Sequence, residues 1–202
     1  MEIEILAAII GAAATVIAAF IGVRVGRRPP KEDPKISSSP EALRRSHEYD
    51  VFISAPLAAY TTDAEIQADR DRILPLVNYL ESELRFKVYW AGRTIKSKQE
   101  FDPGDISARE DVKAILQSKY FLLLYPSKIV SSVLFEAGIA LRACLTSIYL
   151  VRDRHDLPFL MTNAAEAFTN VRICEFIVPE KAVAIMRKHG KAFFEPTKGE
   201  LQ

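Results

Sequence analysis

Cysteine is scarce in this chain, and neither sign of charge dominates. Only two cysteines, Cys144 and Cys174, occur in 202 residues, and both lie in apolar segments. Such a pair argues against a disulfide framework or a metal site, so we expect two buried free thiols and no bound metal. Lysine and arginine total 27 against 26 aspartates and glutamates. Without a basic excess, we predict that the chain does not bind nucleic acid.

Residues 5–23 carry no charge and are almost entirely apolar. A helix of this length nearly spans a hydrocarbon core of about 30 Å. Acidic Glu2 and Glu4 precede the run, and basic residues follow it, namely Arg24, Arg27, Arg28 and Lys31. This order is the reverse of a signal peptide. By the positive-inside rule we predict a single-pass anchor in the cell membrane, with the C-terminal domain in the cytoplasm.

Composition divides the rest of the chain into three parts. Residues 24–48 are rich in proline, serine and charge, which predicts a polar linker. We expect one folded domain over residues 49–178, and a C-terminal helix and tail over residues 179–202. Small residues recur at every fourth position of the anchor and suit close helix packing, although an alanine-rich span with no preferred partner explains them equally well.

Apolar strands and amphipathic helices alternate through the folded domain. The pattern predicts an α/β fold with a flavodoxin-like, doubly wound, parallel five-stranded sheet. Pro75 lies inside the first helical stretch and is expected to kink or break it. The fifth strand is short and is expected at an edge of the sheet. The expected strands span residues 49–54, 86–90, 120–125, 147–151 and 171–176, and the expected helices span residues 63–84, 107–117, 132–144 and 179–188.

Glu136 is the only charged residue between Lys128 and Arg142. It follows the junction of the third strand with a helix of small residues, and ligands bind at such junctions in open parallel sheets. A capping box would need serine or threonine at the position of Val133, so that role fails. A carboxylate here could stabilise the cation that forms when a glycosidic bond breaks. An exposed helix glutamate is the alternative.

Several segments resemble a Toll/interleukin-1 receptor (TIR) domain. The strand at residues 49–54 is similar to the opening strand of that family, and the segment at residues 101–106 resembles its Pro-Gly-bearing loop. Ser118-Lys119 precedes the third strand, and Ser131 lies five residues before Glu136, as in the motif that ends in the family's NAD-cleaving glutamate. The resemblance covers residues 49–176.

Two departures bring the chain close to the nucleoside 2-deoxyribosyltransferases. Ser132-Val133 stands where the TIR motif usually has Trp-Cys, and Ser54-Ala55-Pro56 resembles the Ala-Gly-Pro turn of the transferases. The segment at residues 136–140 also resembles their nucleophile motif. Both groups attack an N-glycosidic bond, so the resemblance implies cleavage of the nicotinamide–ribose bond of NAD, with a nucleoside or nucleotide as the alternative substrate.

The resemblance implies Glu136 as the catalytic residue and NAD as a substrate rather than a cofactor; no cofactor is expected. It also implies clustering into a homo-oligomer on activation and a role in prokaryotic antiviral defence. A non-catalytic interaction module is a further alternative. The implied substrate contacts begin with Ser54, Ala55 and Pro56, which would lie beneath the substrate. Trp90 and Phe101 would stack on a ring of the substrate, unless Trp90 belongs to the core. Asp105 would be a contact or a turn residue, and Ser131 and Ser132 would be ribose contacts or helix caps.

Overall fold

A computed structural model of the chain describes residues 47–176 and 180–195. The predicted anchor at residues 5–23 lies outside them, as do most of the predicted linker and the tail from residue 196. Among the helices within the described ranges, none is both long enough and apolar enough to cross a membrane.

Five strands form one parallel sheet in the order β2-β1-β3-β4-β5. This is the flavodoxin-like strand order, so the predicted sheet and the edge position of its fifth strand are confirmed. The strands are β1 (Tyr49–Ser54), β2 (Val88–Tyr89), β3 (Ser118–Tyr125), β4 (Thr146–Val151) and β5 (Val171–Glu175). The helices are α1 (Asp63–Ser82), α2 (Gly104–Leu116), α3 (Val133–Arg142), α4 (Phe159–Thr162), α5 (Ala164–Ala167) and α6 (Glu180–His189).

Helix α1 passes through Pro75 without a break, so of the two effects expected of this proline the break is wrong. A proline inside a helix costs about 3 kcal/mol. The helix offsets this cost at its start, where Thr62 and Glu65 form a capping box. Its inward residues also bury apolar surface, each contributing about 1.5–3 kcal/mol. These inward residues include Ile66, Ile73, Leu76, Val77 and Leu80.

The two faces of the sheet bury separate clusters because side chains alternate along each strand. In β1, Val51 and Ile53 point to the face that α1 and α6 cover, here called the α1 face. Phe52 points the other way, to the face that α2 and α3 cover, here called the α3 face. By the same alternation Ser54, the last residue of β1, points to the α3 face, where its hydroxyl contacts α3.

Three local features differ from the sequence-based expectations. Strand β2 has only two residues, and α2 begins at Gly104, directly after the fixed φ of Pro103. Cys144 is exposed, so the prediction of two buried thiols is wrong. Its backbone has a φ of 55°, since the chain turns through a left-handed conformation after α3 and carries the side chain out of the core.

Candidate active site

Glu136 lies in the first turn of α3, on the side of the helix that faces the sheet. The buried residues of α3 are Val133, Glu136, Ala137 and Ala140, the spacing of one inward helical stripe. Glu136 is only 7% exposed, whereas the adjacent Phe135 is 60% exposed. The alternative of an exposed helix glutamate is therefore wrong, because the carboxylate occupies a core position and the phenylalanine faces solvent.

The carboxyl end of β1 supplies the hydrogen-bond partner of Glu136. The Ser54 hydroxyl donates to Oε2 of Glu136 at 2.6 Å, and both side chains are buried. Because β1 and β3 are neighbours and their connections leave on opposite sides, this contact lies at the point where the strand order reverses. Ligands bind at this point in folds of this kind.

Burial is the main influence on the charge of Glu136. It raises the pKa of the carboxyl above its ordinary value, and the nearby negative charge of Asp111 raises it further. Hydrogen bonds from the hydroxyls of Ser54 and Ser132 lower the pKa, but they do not cancel the effect of burial. A carboxyl group held in this way keeps its proton to a higher pH than an exposed glutamate does.

Asp111 on α2 is a second carboxyl group that the sequence analysis missed. It is half-buried, and burial raises its pKa too. The Tyr89 hydroxyl donates to Oδ1 of Asp111 at 3.2 Å. The Tyr89 ring in turn stacks on Phe52, with ring centroids 5.2 Å apart. The end of β2 thus fixes the orientation of the Asp111 carboxyl within electrostatic reach of Glu136.

Helical spacing in the sequence could have indicated Asp111 as a site residue. Ala114 and Ile115 are the buried residues of α2, and Asp111 precedes them by three and four positions. It therefore lies on the inward stripe of α2, one turn before them. A carboxylate on the inward stripe of a helix beside the glutamate-bearing helix marks a site candidate.

Ser131 and Ser132 precede α3, but neither caps it. Ser132 occupies the N-cap position with helical backbone angles, φ −56° and ψ −22°, and makes no side-chain cap hydrogen bond. A capping side chain needs an extended backbone at this position, so the capping prediction is wrong for Ser132. The Ser131 hydroxyl oxygen is buried and has no hydrogen-bond partner among the described residues. Ala55 and Pro56 directly follow Ser54 at the end of β1.

Three of the expected substrate contacts are not brought to Glu136. Trp90 is 4% exposed and belongs to the core of the α1 face, so it takes the core role and cannot stack on a substrate. Phe101 packs against the same core. Asp105 is exposed in the first turn of α2 and forms an ion pair with Arg109 one turn later. The side chain of Asp105 therefore forms a contact within α2.

Comparisons with known proteins find similarity in structure rather than in sequence. No protein-family model matches the chain, and no curated protein matches its sequence. Its structure is similar to that of a CMP N-glycosidase from Clostridium botulinum, with a TM-score of 0.53 and 16% sequence identity. The match covers 69% of this chain and 98% of that chain. The described domain therefore shares its fold with that protein.

Proposed function

We propose that the chain is an N-glycosidase that acts on a nucleoside or nucleotide. The observation that carries this proposal is a pair of carboxyl groups within electrostatic reach of one another, Glu136 at the switch point of the sheet and Asp111 on α2, each with a raised pKa and a hydrogen-bond partner. Enzymes that cleave glycosidic bonds commonly use two such groups, one ionised and one protonated. The similarity in fold to a CMP N-glycosidase supports the same reaction class.

Glu136 is the group that acts on the sugar. As the C1′–N bond breaks, its electron pair leaves with the base, and the ionised Glu136 captures or stabilises the cation at C1′. Water then adds to C1′ and releases the free sugar. The Ser54 hydroxyl holds the carboxylate in place throughout, since its hydrogen bond to Oε2 fixes one of the two oxygens.

Asp111 is the group that acts on the base. A nucleobase is a poor leaving group unless a nitrogen gains a proton as the bond breaks. A protonated Asp111 donates that proton, and the attacking water later returns one to it. Burial holds the pKa of Asp111 above its ordinary value, and the Tyr89 hydroxyl orients the carboxyl group.

The need for a general acid separates the two candidate substrates. Nicotinamide leaves NAD as a neutral molecule and needs no proton, whereas the base of an ordinary nucleoside does. The presence of Asp111 within electrostatic reach of Glu136 therefore favours a nucleoside or nucleotide over NAD. The membrane anchor, the cytoplasmic location, assembly on activation and the defence role stay predictions from the sequence.

Product analysis by chromatography tests this proposal. The full chain in detergent is incubated separately with CMP, cytidine, 2′-deoxycytidine and NAD, alongside a Glu136→Gln variant. Glu100→Gln changes an exposed glutamate and serves as the matched control. We expect base release from a nucleoside or nucleotide by the wild type and the control alone. Nicotinamide release alone would favour the NAD reaction. A folded protein that cleaves no substrate would favour the non-catalytic interaction module.

A further inference from the structure

The loop between β3 and α3 spans residues 126–132 and leads directly into the helix that carries Glu136. Connections between a strand and a helix in α/β folds usually have about two to six residues, so this loop is longer than usual. Tyr125, the last residue of β3, is 2% exposed and points to the α3 face, as Phe121 and Leu123 do. The tyrosine, the loop and the carboxyl group of Glu136 therefore lie on the same side of the sheet.

The Tyr125 hydroxyl binds both backbone polar groups of Ile129, the middle residue of the loop. It donates to the carbonyl oxygen of Ile129 at 2.5 Å and accepts from its amide N–H at 3.2 Å. The Ile129 side chain packs against the core of the α3 face, whereas Lys128 and Val130 on either side of it are exposed. A long loop can adopt several conformations unless it is tied down. One buried hydroxyl therefore holds this loop at its centre.

Ser132, the last residue of the loop, reaches the carboxyl group of Glu136. Its hydroxyl hydrogen-bonds to that carboxyl group. Its carbonyl oxygen accepts from the backbone N–H of Glu136 at 3.1 Å. Ser132 is exposed, and its side chain makes no cap hydrogen bond, so neither burial nor capping fixes it. The position of the Ser132 hydroxyl depends instead on the path of the loop, which Tyr125 fixes three residues earlier.

We infer that Tyr125 is a positioning residue for Glu136, because its hydrogen bonds to Ile129 hold the loop so that the Ser132 hydroxyl stays in contact with the carboxyl group. The effect on turnover rests on the proposed function, whereas the effect on the carboxyl group does not. If the loop is released, Glu136 loses a hydrogen bond that favours its ionised form. Less of the enzyme is then ionised at a given pH, and the remaining carboxylate is less well oriented.

Tyr125→Phe tests the inference, since it keeps the buried ring and removes only the hydroxyl. We expect kcat/KM for base release to fall about tenfold and its acidic limb to move to higher pH. Ser132→Ala should move the limb in the same direction, and the double variant should add little to either change. Tyr79→Phe is the matched control, because it removes a buried tyrosine hydroxyl that donates to the backbone carbonyl of Met186 on the α1 face. It should leave both kinetic readouts within twofold of the wild type.

Two measurements on the full chain in detergent do not need turnover. Titration of the carboxyl carbon of Glu136 by NMR, assigned with Glu136→Gln, should show a higher pKa in Tyr125→Phe than in the wild type or Tyr79→Phe. Hydrogen exchange of the wild type should show the Ile129 amide protected relative to those of Lys128 and Val130. If the wild type cleaves no substrate, the proposed function fails, and these two measurements still decide the inference.

The inference is overturned if the Glu136 titration in a folded Tyr125→Phe matches that of the wild type. It is also overturned if the acidic limb stays in place, or if Tyr125→Phe and Ser132→Ala shift the titration by fully additive amounts. Thermal unfolding checks that each variant is folded. If Tyr125→Phe does not fold, hydrogen exchange of the wild type and the titration of Ser132→Ala decide. An Ile129 amide that exchanges as fast as its neighbours, or an unchanged titration in Ser132→Ala, would then contradict the inference.

Discussion

Carboxyl groups on the two faces of the sheet differ in their hydrogen bonding. On the α3 face, Glu136 and Asp111 each accept a hydrogen bond from a hydroxyl group at the end of a strand. On the α1 face, Asp69 of α1 is buried and keeps one oxygen without a partner among the described residues. The partners of Glu136 and Asp111 fix orientation, as catalysis requires.

The alternation of side chains along β1 produces this difference. Val51 and Ile53 belong to the large apolar cluster beneath α1, and Phe52 belongs to the cluster beneath α3. The next residue in the alternation, Ser54, brings the only buried hydroxyl of β1 to the α3 face. The α3 face therefore carries the proposed chemistry, and the predictions below are arranged to test that division.

The largest expected effect is the loss of turnover in Glu136→Gln, by about 10⁴-fold or more. Glutamine still accepts the Ser54 hydrogen bond and keeps the shape of the side chain, but it carries no negative charge. The rate of base release under single-turnover conditions measures the effect. A variant that remains folded yet releases base at more than a tenth of the wild-type rate would remove Glu136 from the mechanism.

On the α1 face, Leu80→Ala should affect stability and not chemistry. Leu80 of α1 is fully buried, so the cavity should lower the free energy of unfolding by about 2–5 kcal/mol. Denaturant titration measures this loss, and turnover per folded molecule should stay within twofold of the wild type. A large fall in turnover without loss of stability would show that the two faces do not divide in this way.

Ser54→Ala should reduce turnover by about 10-fold to 100-fold, because the hydrogen bond from Ser54 is made to a charged group. It should also raise the pKa of Glu136 further, since that hydrogen bond lowers the pKa in the wild type. The pH profile of kcat/KM separates this from a purely structural effect. An unchanged acidic limb in Ser54→Ala would contradict the proposed role of Ser54.

The smallest effect is a shift in pH dependence. Turnover needs ionised Glu136, so kcat/KM should fall as pH is lowered through its raised pKa, with an inflection above the ordinary value of 4.5. A raised folded-state pKa also means that Glu136 contributes stability below its unfolded pKa and loses that contribution as pH rises through the folded pKa. Glu136→Gln should therefore gain stability relative to the wild type across that window. Parallel denaturant titrations from pH 4 to pH 8 check the sign.

The strand order and most helix positions could be predicted from sequence, because apolar runs and inward stripes repeat at fixed periods. The role of Trp90 could not, since an aromatic residue next to a strand suits both a core and a substrate pocket. Only the structure shows it buried beneath α1. The exposed Cys144 was missed because its exposure depends on a left-handed turn that its apolar neighbours do not indicate.

The candidate site was predicted only in part. Glu136 and Ser54 could be predicted as site residues because each lies near the end of a strand that the sequence pattern indicates. Asp111 and Tyr89 come from a helix and an edge strand whose approach to α3 depends on tertiary packing. The two-residue β2 is too short for its pattern to have indicated which way Tyr89 points.

The most direct test of the account is the effect of Asp111→Asn on two substrates that differ in the need for a proton. Guanosine needs a general acid for loss of its base, whereas 7-methylguanosine already carries a positive charge on its base. If the wild type cleaves both, we expect Asp111→Asn to lose about 10²-fold to 10⁴-fold in rate on guanosine and little on 7-methylguanosine. Glu136→Gln should lose activity on both. Equal losses by Asp111→Asn on the two substrates would contradict the assignment of Asp111 as the acid.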